Sequence, residues 1–268
     1  MIIPLSIMEL PLIGIGTYTV KPQEEINNML GYAIREGYTM IDTAEIYRNQ
    51  KYIGHFLNNN SDIKRENIWI TTKVNFAHVI KQNEPEIFKS LNKTFIDLKT
   101  SYIDLYLIHC PVESMDVKIW NILRNLQKDG KIRYIGISNF TIDKLKKFIE
   151  KIGPEEAKYI YCNQIEYNPF LNRQDLINFC QEKNIKVVAY GSLNKINNIV
   201  EEIALRLNKT AEQVLLKWAL QNNVHIIPSS SNPKFIIDNI SLDFEISGKE
   251  MDILNNLNDD TCVYKKYL

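Results

Sequence analysis

Short apolar runs recur along the chain, and each is followed by a stretch in which apolar positions repeat every three or four residues. The runs lie near 13–16, 39–42, 68–73, 103–108, 134–138, 161–165, 186–190 and 225–228. Their length and spacing predict eight buried strands separated by helices. Ile26, Met29, Leu30, Ala33 and Ile34 share one face of 22–36, which Gly37 ends. Ile87, Leu91, Phe95 and Leu98 do the same over 84–98, and Ile119, Trp120, Leu123 and Leu126 precede a stop at Gly130. Thr141 is placed to cap a helix carrying Leu145, Phe148 and Ile149. Leu176, Phe179 and Cys180 share a further face, as do Val200, Ile203, Ala204 and Leu207. Thr210 with Gln213, and Ser247 with Glu250, have the spacing of capping boxes at the heads of the last helices.

Strand–helix alternation without a low-complexity linker, over 268 residues, predicts a (β/α)8 TIM barrel. The expectation is one domain over residues 1–268, opened by a short N-terminal strand or hairpin. An open doubly wound sheet is the alternative. It calls for a glycine-rich phosphate fingerprint, and Gly14-Ile-Gly16-Thr-Tyr-Thr lacks the third glycine.

In a barrel the functional face is the carboxyl end of the strands. Thr39-Met40-Ile41 stops on Asp42, with Tyr47 just beyond; the run from Ile68 stops on Lys73, and Ile103 to Ile108 stops on His109. Later strands end in Ser138-Asn139, Asn163-Gln164, Tyr190-Gly191-Ser192 and Ser229-Ser230-Ser231. Taken singly, Asp42 and Lys73 read as an ion pair at a strand end, Tyr47 as a packing residue and His109 as a structural histidine. One per successive strand end, they read as a site, because a titratable group there is costly unless it is paired or used. A lysine beside a tyrosine lowers the phenol pKa from ~10 by about 1–3, and an aspartate keeps the lysine charged. The tyrosine then serves as a general acid for a developing alkoxide, and the histidine donates a hydrogen bond to the same oxygen. No side chain supplies a hydride, so carbonyl reduction implies a nicotinamide cofactor.

Composition narrows the partners. Lys+Arg 32 balances Asp+Glu 32 without a basic block, which argues against nucleic acid. Cys110, Cys162, Cys180 and Cys262 have no C-x-x-C spacing, so no metal site or redox dithiol is indicated, and a reduced cytoplasmic setting is expected. The apolar N-terminus lacks a basic segment and contains Glu9, and no run is long enough to span a bilayer. A monomer with a small-molecule carbonyl substrate, no membrane and no nucleic-acid partner is the expectation.

The segments Asp42-Thr-Ala-Glu-Ile-Tyr47, Thr72-Lys73, Leu107-Ile-His109, Gly136-Ile-Ser-Asn-Phe140, Asn163-Gln-Ile-Glu-Tyr-Asn-Pro169 and Ile227-Pro228 resemble, in order and spacing, those of the aldo-keto reductases. The resemblance covers about Leu12 to Leu257 and implies a barrel that reduces aldehydes or ketones with NAD(P)H. It assigns catalysis to Asp42, Tyr47, Lys73 and His109, with Tyr47 as the acid. It assigns the nicotinamide carboxamide to Ser138, Asn139 and Gln164, and ring stacking to Tyr190. Ser192, Leu193, Ser229 and Ser230 are further cofactor candidates, and Asp238 and Asn239 align with adenine contacts. Tyr18, Asn75 and Cys110 are the substrate candidates.

Three departures from the resemblance stand out. Ser229 and Phe235 occupy positions where relatives commonly hold the 2′-phosphate of NADP with lysine and arginine, so the cofactor is expected to be NADP(H) with weakened preference, NAD(H) being admitted. Asn75 and Cys110 replace pocket tryptophans, which implies a wider and wetter pocket. The 191–199 link and the tail after Leu257 are short, so few substrate contacts are expected from the tail. A barrel that binds the cofactor in a regulatory or structural role, with little turnover, is the rival reading. Schiff-base chemistry at Lys73 is a more distant one.

Overall fold

The computed structural model describes residues 8–81 and 84–264. The chain opens with β1 (Ile15–Gly16), α1 (Gln23–Arg35), β2 (Met40–Asp42), α2 (Gln50–Asn59), β3 (Trp69–Lys73), α3 (Phe76–Ile80) and α4 (Glu84–Asp97). It continues with β4 (Ile103–Ile108), α5 (Asp116–Lys128), β5 (Ile132–Ser138), α6 (Ile142–Ile152), α7 (Pro154–Ala157) and β6 (Ile160–Glu166). Next come α8 (Gln174–Glu182), β7 (Lys186–Tyr190), α9 (Asn198–Leu207), α10 (Ala211–Gln221), β8 (His225–Ile226), α11 (Pro233–Ile240) and α12 (Gly248–Asn255).

The eight strands form one parallel sheet in sequence order. Backbone bonds join its two ends. Gly14 N–H donates to Ile226 O at 2.8 Å, Ile226 N–H to Leu12 O at 2.9 Å and Gly16 N–H to Pro228 O at 2.9 Å. The sheet is therefore closed and leaves no edge for another strand to pair with. This is the expected (β/α)8 barrel. Gly16 is where the closing strands come closest, since a Cβ there would meet Ile227 O at 2.8 Å.

Strand alternation sorts the core into two compartments. Met40, Trp69, Leu105, Leu107, Cys162 and Val188 fill the barrel interior, and Leu10 covers them at the amino ends of the strands. Trp69 stacks on Tyr134 at 5.5 Å, and Tyr134 on Tyr161 at 4.1 Å. The opposite faces of the strands pack against the helices; Trp120 and Trp218 lie there, fully buried. All three tryptophans and Cys162 are thus scaffold.

Both capping boxes form as their spacing predicts, Thr210 with Gln213 and Ser247 with Glu250. Strand boundaries shift modestly. β8 ends at Ile226 rather than 228, because Pro228 has no N–H to donate. β5 begins two residues early, at Ile132. The N-terminal strand or hairpin falls in part on residues 1–7, outside those described, and residues 8–12 form no strand. Among the described residues no helix is long and apolar enough to cross a membrane.

Candidate active site

The carboxyl ends of the strands open into a cleft of about 430 Å³. Gly16, Asp42, Ser138 and Tyr190 are the last residues of their strands, and all four line it. So do Tyr18, Tyr47, His109, Asn139, Gln164, Ser192, Leu193 and Ser229.

Lys73 organises the floor. Its side chain is 1% exposed, and its ammonium donates to Asp42 Oδ1 at 2.6 Å, to Thr43 O at 3.0 Å and to the Tyr47 hydroxyl oxygen at 3.4 Å. Three donors meet three acceptors, which is the full capacity of an ammonium. Burial lowers the Lys73 pKa from its ordinary value, while the Asp42 charge and hydrogen bond pull it back up. The second Asp42 oxygen accepts from Gln164 Nε2 at 2.8 Å. Because Lys73 donates to the phenol oxygen, the phenolic proton of Tyr47 is not spent on Lys73. Tyr47 rides on a short 3-10 turn, Glu45–Tyr47, ended by Arg48 in the left-handed region at φ 60°.

The walls are aromatic on one side and amide-rich on the other. Tyr18 lies 5.1 Å from Tyr47 and His109 6.1 Å from it, while Phe76 meets His109 edge-on at 5.3 Å. Opposite, Asn139 adopts φ 65°, an uncommon conformation that asparagine tolerates best among residues with a side chain. Its Nδ2 donates to His109 O at 3.0 Å and Ser138 Oγ at 3.2 Å, and its Oδ1 accepts the Tyr190 hydroxyl at 2.7 Å. Ser138 Oγ donates to Gln164 O at 2.8 Å. One residue thus fixes three of the walls.

Other predicted residues fall outside this cleft. Asn75 does not line it; the Asn75 side chain turns back to accept from Ala77 N–H at 3.1 Å and caps α3. Cys110 is buried and does not line the cleft either, its thiol pushed up to about 11 by burial, with Asp116 adding to the rise and Lys144 opposing it. Successive residues leaving a strand face opposite ways, so with His109 turned inward Cys110 turns to the helix layer. Ser230, Asp238 and Asn239 lie beyond the cleft on the β8–α11 side. Ser230 Oγ accepts from Asn232 N–H, and Asp238 holds Lys234 at 3.0 Å. Phe235 is 51% exposed at the start of α11, with the Lys234 ammonium 5.5 Å from its ring.

The tail reaches the cleft through one residue. Tyr264 lines the cleft and meets Tyr190 edge-on at 5.4 Å. Glu166, buried at the end of β6, holds the tail there by accepting from Val263 N–H at 3.0 Å, Tyr264 N–H at 3.1 Å and Cys262 Sγ at 3.1 Å. It also accepts from Asn194 Nδ2 at 3.0 Å, so tail and β7 link share one anchor. The link is short, as expected. Gly191 in this link adopts φ 65°, and an added Cβ would stand 2.5 Å from Asn194 Nδ2, so a side chain there would push on the Asn194–Glu166 contact.

A closed parallel barrel with a buried lysine–aspartate pair, a tyrosine on that lysine and a histidine at the next strand end defines an oxidoreductase of the reductase-barrel type. The comparisons with known proteins agree. A profile of the Aldo/keto reductase family matches residues 12–195, and the chain belongs to that family. It is 35% identical over 262 residues to glyoxal reductase of Bacillus subtilis, covering 94% of this chain and 91% of the relative. It is 35% identical over 240 residues to methylglyoxal reductase DkgB of Yersinia pestis, covering 87% of each. A crystal structure of an aldo-keto reductase from a Medee basin deep-sea metagenome library superposes with a TM-score of 0.89 at 28% identity, covering 97% of this chain and 96% of that one.

The family uses a nicotinamide cofactor, and the cleft residues suit one. Ser192 lines the cleft, and its buried Oγ has no hydrogen-bond partner among the described residues. Among the described residues Asn139 Oδ1 accepts one hydrogen bond and Gln164 Oε1 none, capacity that matches an amide NH₂.

Proposed function

We propose that this protein reduces small aldehydes or ketones to alcohols, with Tyr47 as the general acid. The observation that carries the reading is the position of the Tyr47 hydroxyl, 3.4 Å from a buried Lys73 that Asp42 holds at 2.6 Å. An ammonium at that distance favours the phenolate and so lowers the energy of proton loss from Tyr47. Tyr47 keeps its own proton for the carbonyl oxygen, and Lys73 stabilises the phenolate that remains. His109, its ring 6.1 Å from that of Tyr47, orients the carbonyl by donating to the same oxygen. The nicotinamide cofactor, when bound, supplies the hydride. Ser138, Asn139 and Gln164 would hold its carboxamide, Tyr190 its ring, and Ser192 and Leu193 its middle. Ser229, Ser230, Asp238 and Asn239 would lie toward its adenosine end.

Glyoxal and methylglyoxal, small and polar, are named in the similar bacterial reductases and suit this cleft, where Ser138, Asn139, Gln164, Ser192 and Ser229 stand beside the aromatic residues. The deciding variant is Tyr47→Phe, which keeps the ring and removes the proton. Turnover is expected to fall by about 10²- to 10⁴-fold while cofactor binding, followed by quenching of protein fluorescence, is retained. A Tyr47→Phe protein that turns over like the wild type would remove Tyr47 from the chemistry.

A further inference from the structure

Behind the cleft, on the helix side of the sheet, sits a carboxyl that the chemistry above does not use. Glu45 accepts from the backbone N–H of Asn75 at 3.0 Å and from the hydroxyls of Ser90 and Tyr106 in two short contacts. Its three partners stand on three separate elements. Glu45 itself begins the turn that carries Tyr47, Asn75 lies two residues beyond Lys73, and Tyr106 lies three residues before His109 on β4. One carboxyl therefore ties together the segments that present the acid, the lysine and the histidine. The web extends further. Tyr106 OH lies 3.1 Å from Thr94 Oγ1, which donates to Gln50 Oε1 at 3.2 Å, and Gln50 Nε2 donates to Thr72 Oγ1 at 2.7 Å, next to Lys73.

We infer that Glu45 is a positioning residue for the reduction, holding the Tyr47 turn against the end of β3 so that the phenol stays within reach of Lys73. The inference rests on the reading of Tyr47 as the acid. Glu45 as a residue is only half-buried, yet desolvation of its carboxyl raises its pKa, and the Ser90, Tyr106 and Asn75 contacts oppose that rise. The Asn75 N–H can only donate, and the two hydroxyls can turn their protons toward the carboxyl, so an ionised Glu45 is met by three donors. Glutamine has nearly the same shape but no charge, so the charge-assisted bonds from Ser90 and Tyr106 weaken and the hold on the turn loosens.

The test is Glu45→Gln in the full-length protein with cofactor, assayed on methylglyoxal. The expected result is a fall in kcat of roughly 10- to 100-fold, the cost of a misplacement of about an ångström, with carbonyl KM and cofactor affinity within about twofold of wild type. Tyr106→Phe is expected to have a smaller effect, and the double variant to be no worse than Glu45→Gln alone, since both break the same web. A second readout does not need turnover. In protein labelled at the tyrosine ring Cζ carbon, with Tyr47→Phe giving the assignment, the Tyr47 pKa is expected to rise by about one in Glu45→Gln as the phenol moves away from Lys73. Wild-type kcat in Glu45→Gln, or a loss matched by equal losses in cofactor affinity and melting temperature, would overturn the inference. If the wild type itself reduces no carbonyl, the proposed activity fails, and the titration alone decides: an unmoved Tyr47 pKa then sinks the positioning role as well.

Discussion

We propose that Ser229 and Phe235 weaken the preference for the phosphorylated form of the cofactor. Neither carries a charge to meet a 2′-phosphate, and the neighbouring Lys234 is already paired to Asp238 at 3.0 Å. The double change Ser229→Lys with Phe235→Arg is expected to tighten NADPH by roughly 10- to 100-fold and to leave NADH unchanged, as two charge-assisted contacts at an exposed site would. Equal effects on both cofactors in binding titrations would place the 2′-phosphate elsewhere. Individual residues differed in how far the sequence exposed them. Asp42, Lys73 and His109 were legible because each ends an apolar run, and a buried titratable group needs a reason. Asn75 and Cys110 lie outside the cleft lining, which their positions in the sequence did not reveal, because a side chain's direction depends on local turns: Asn75 caps α3 and Cys110 faces the helix layer. Glu166 and Tyr264 were overlooked because their contact spans 98 positions of sequence. Glu166 stood in plain view inside the Asn163-Gln-Ile-Glu166 segment, and a carboxylate at a strand end was its signal.

Most helices followed from the apolar period, but α2 did not, although Ile53, Phe56 and Leu57 have helical spacing. Its opening, Asn49-Gln50-Lys51, carries no capping-box pair, and Gly54 in its middle reads as a breaker. The structure gives that glycine its reason. A Cβ at Gly54 would stand 2.1 Å from Asp97 O and 2.7 Å from Leu98 Cα, so α2 lies directly on the end of α4. Gly54→Ala is expected to cost at least about 2 kcal/mol in urea unfolding, as overpacking against backbone that cannot yield. An alanine variant as stable as the wild type would mean that the two helices slide apart freely. At the head of α5, Asp116 is buried, and burial raises its pKa to about 6, with the Val112 N–H bond and Lys151 opposing. A folded-state pKa above the unfolded value of ~3.9 means that the native protein holds the proton longer, so this group favours folding most at low pH and loses that contribution as pH rises through about 6. Asp116→Asn removes the penalty of the charged form. Its stability relative to wild type is expected to improve by about 1–2 kcal/mol between about pH 4.5 and about pH 8. A difference that stays constant with pH would show that Asp116 titrates normally.

The barrel as a whole was legible because strand–helix alternation is a local property repeated along the chain, and the right-handed crossover rule leaves few ways to close such a chain. What closes it was less visible: β1 and β8 are two residues each, and backbone bonds around Gly14, Gly16 and Pro228 complete the ring. The tail is a second whole-molecule feature, since Glu166 draws it across the mouth and brings Tyr264 onto Tyr190. Tyr264→Ala is expected to raise KM for carbonyl or cofactor several-fold while leaving the melting temperature nearly unchanged, because the anchoring bonds come from backbone and from Cys262. Unchanged kinetics would make Tyr264 a bystander at the rim. The central claim, that this cleft reduces a carbonyl with a nicotinamide hydride, is met most directly by steady-state oxidation of NADPH and NADH in the presence of methylglyoxal, comparing wild type with Tyr47→Phe. Turnover by the wild type that collapses in Tyr47→Phe, with cofactor still bound, is the expected result. Tight cofactor binding without turnover by the wild type would contradict it, and would make the barrel a binder of the cofactor rather than a reductase.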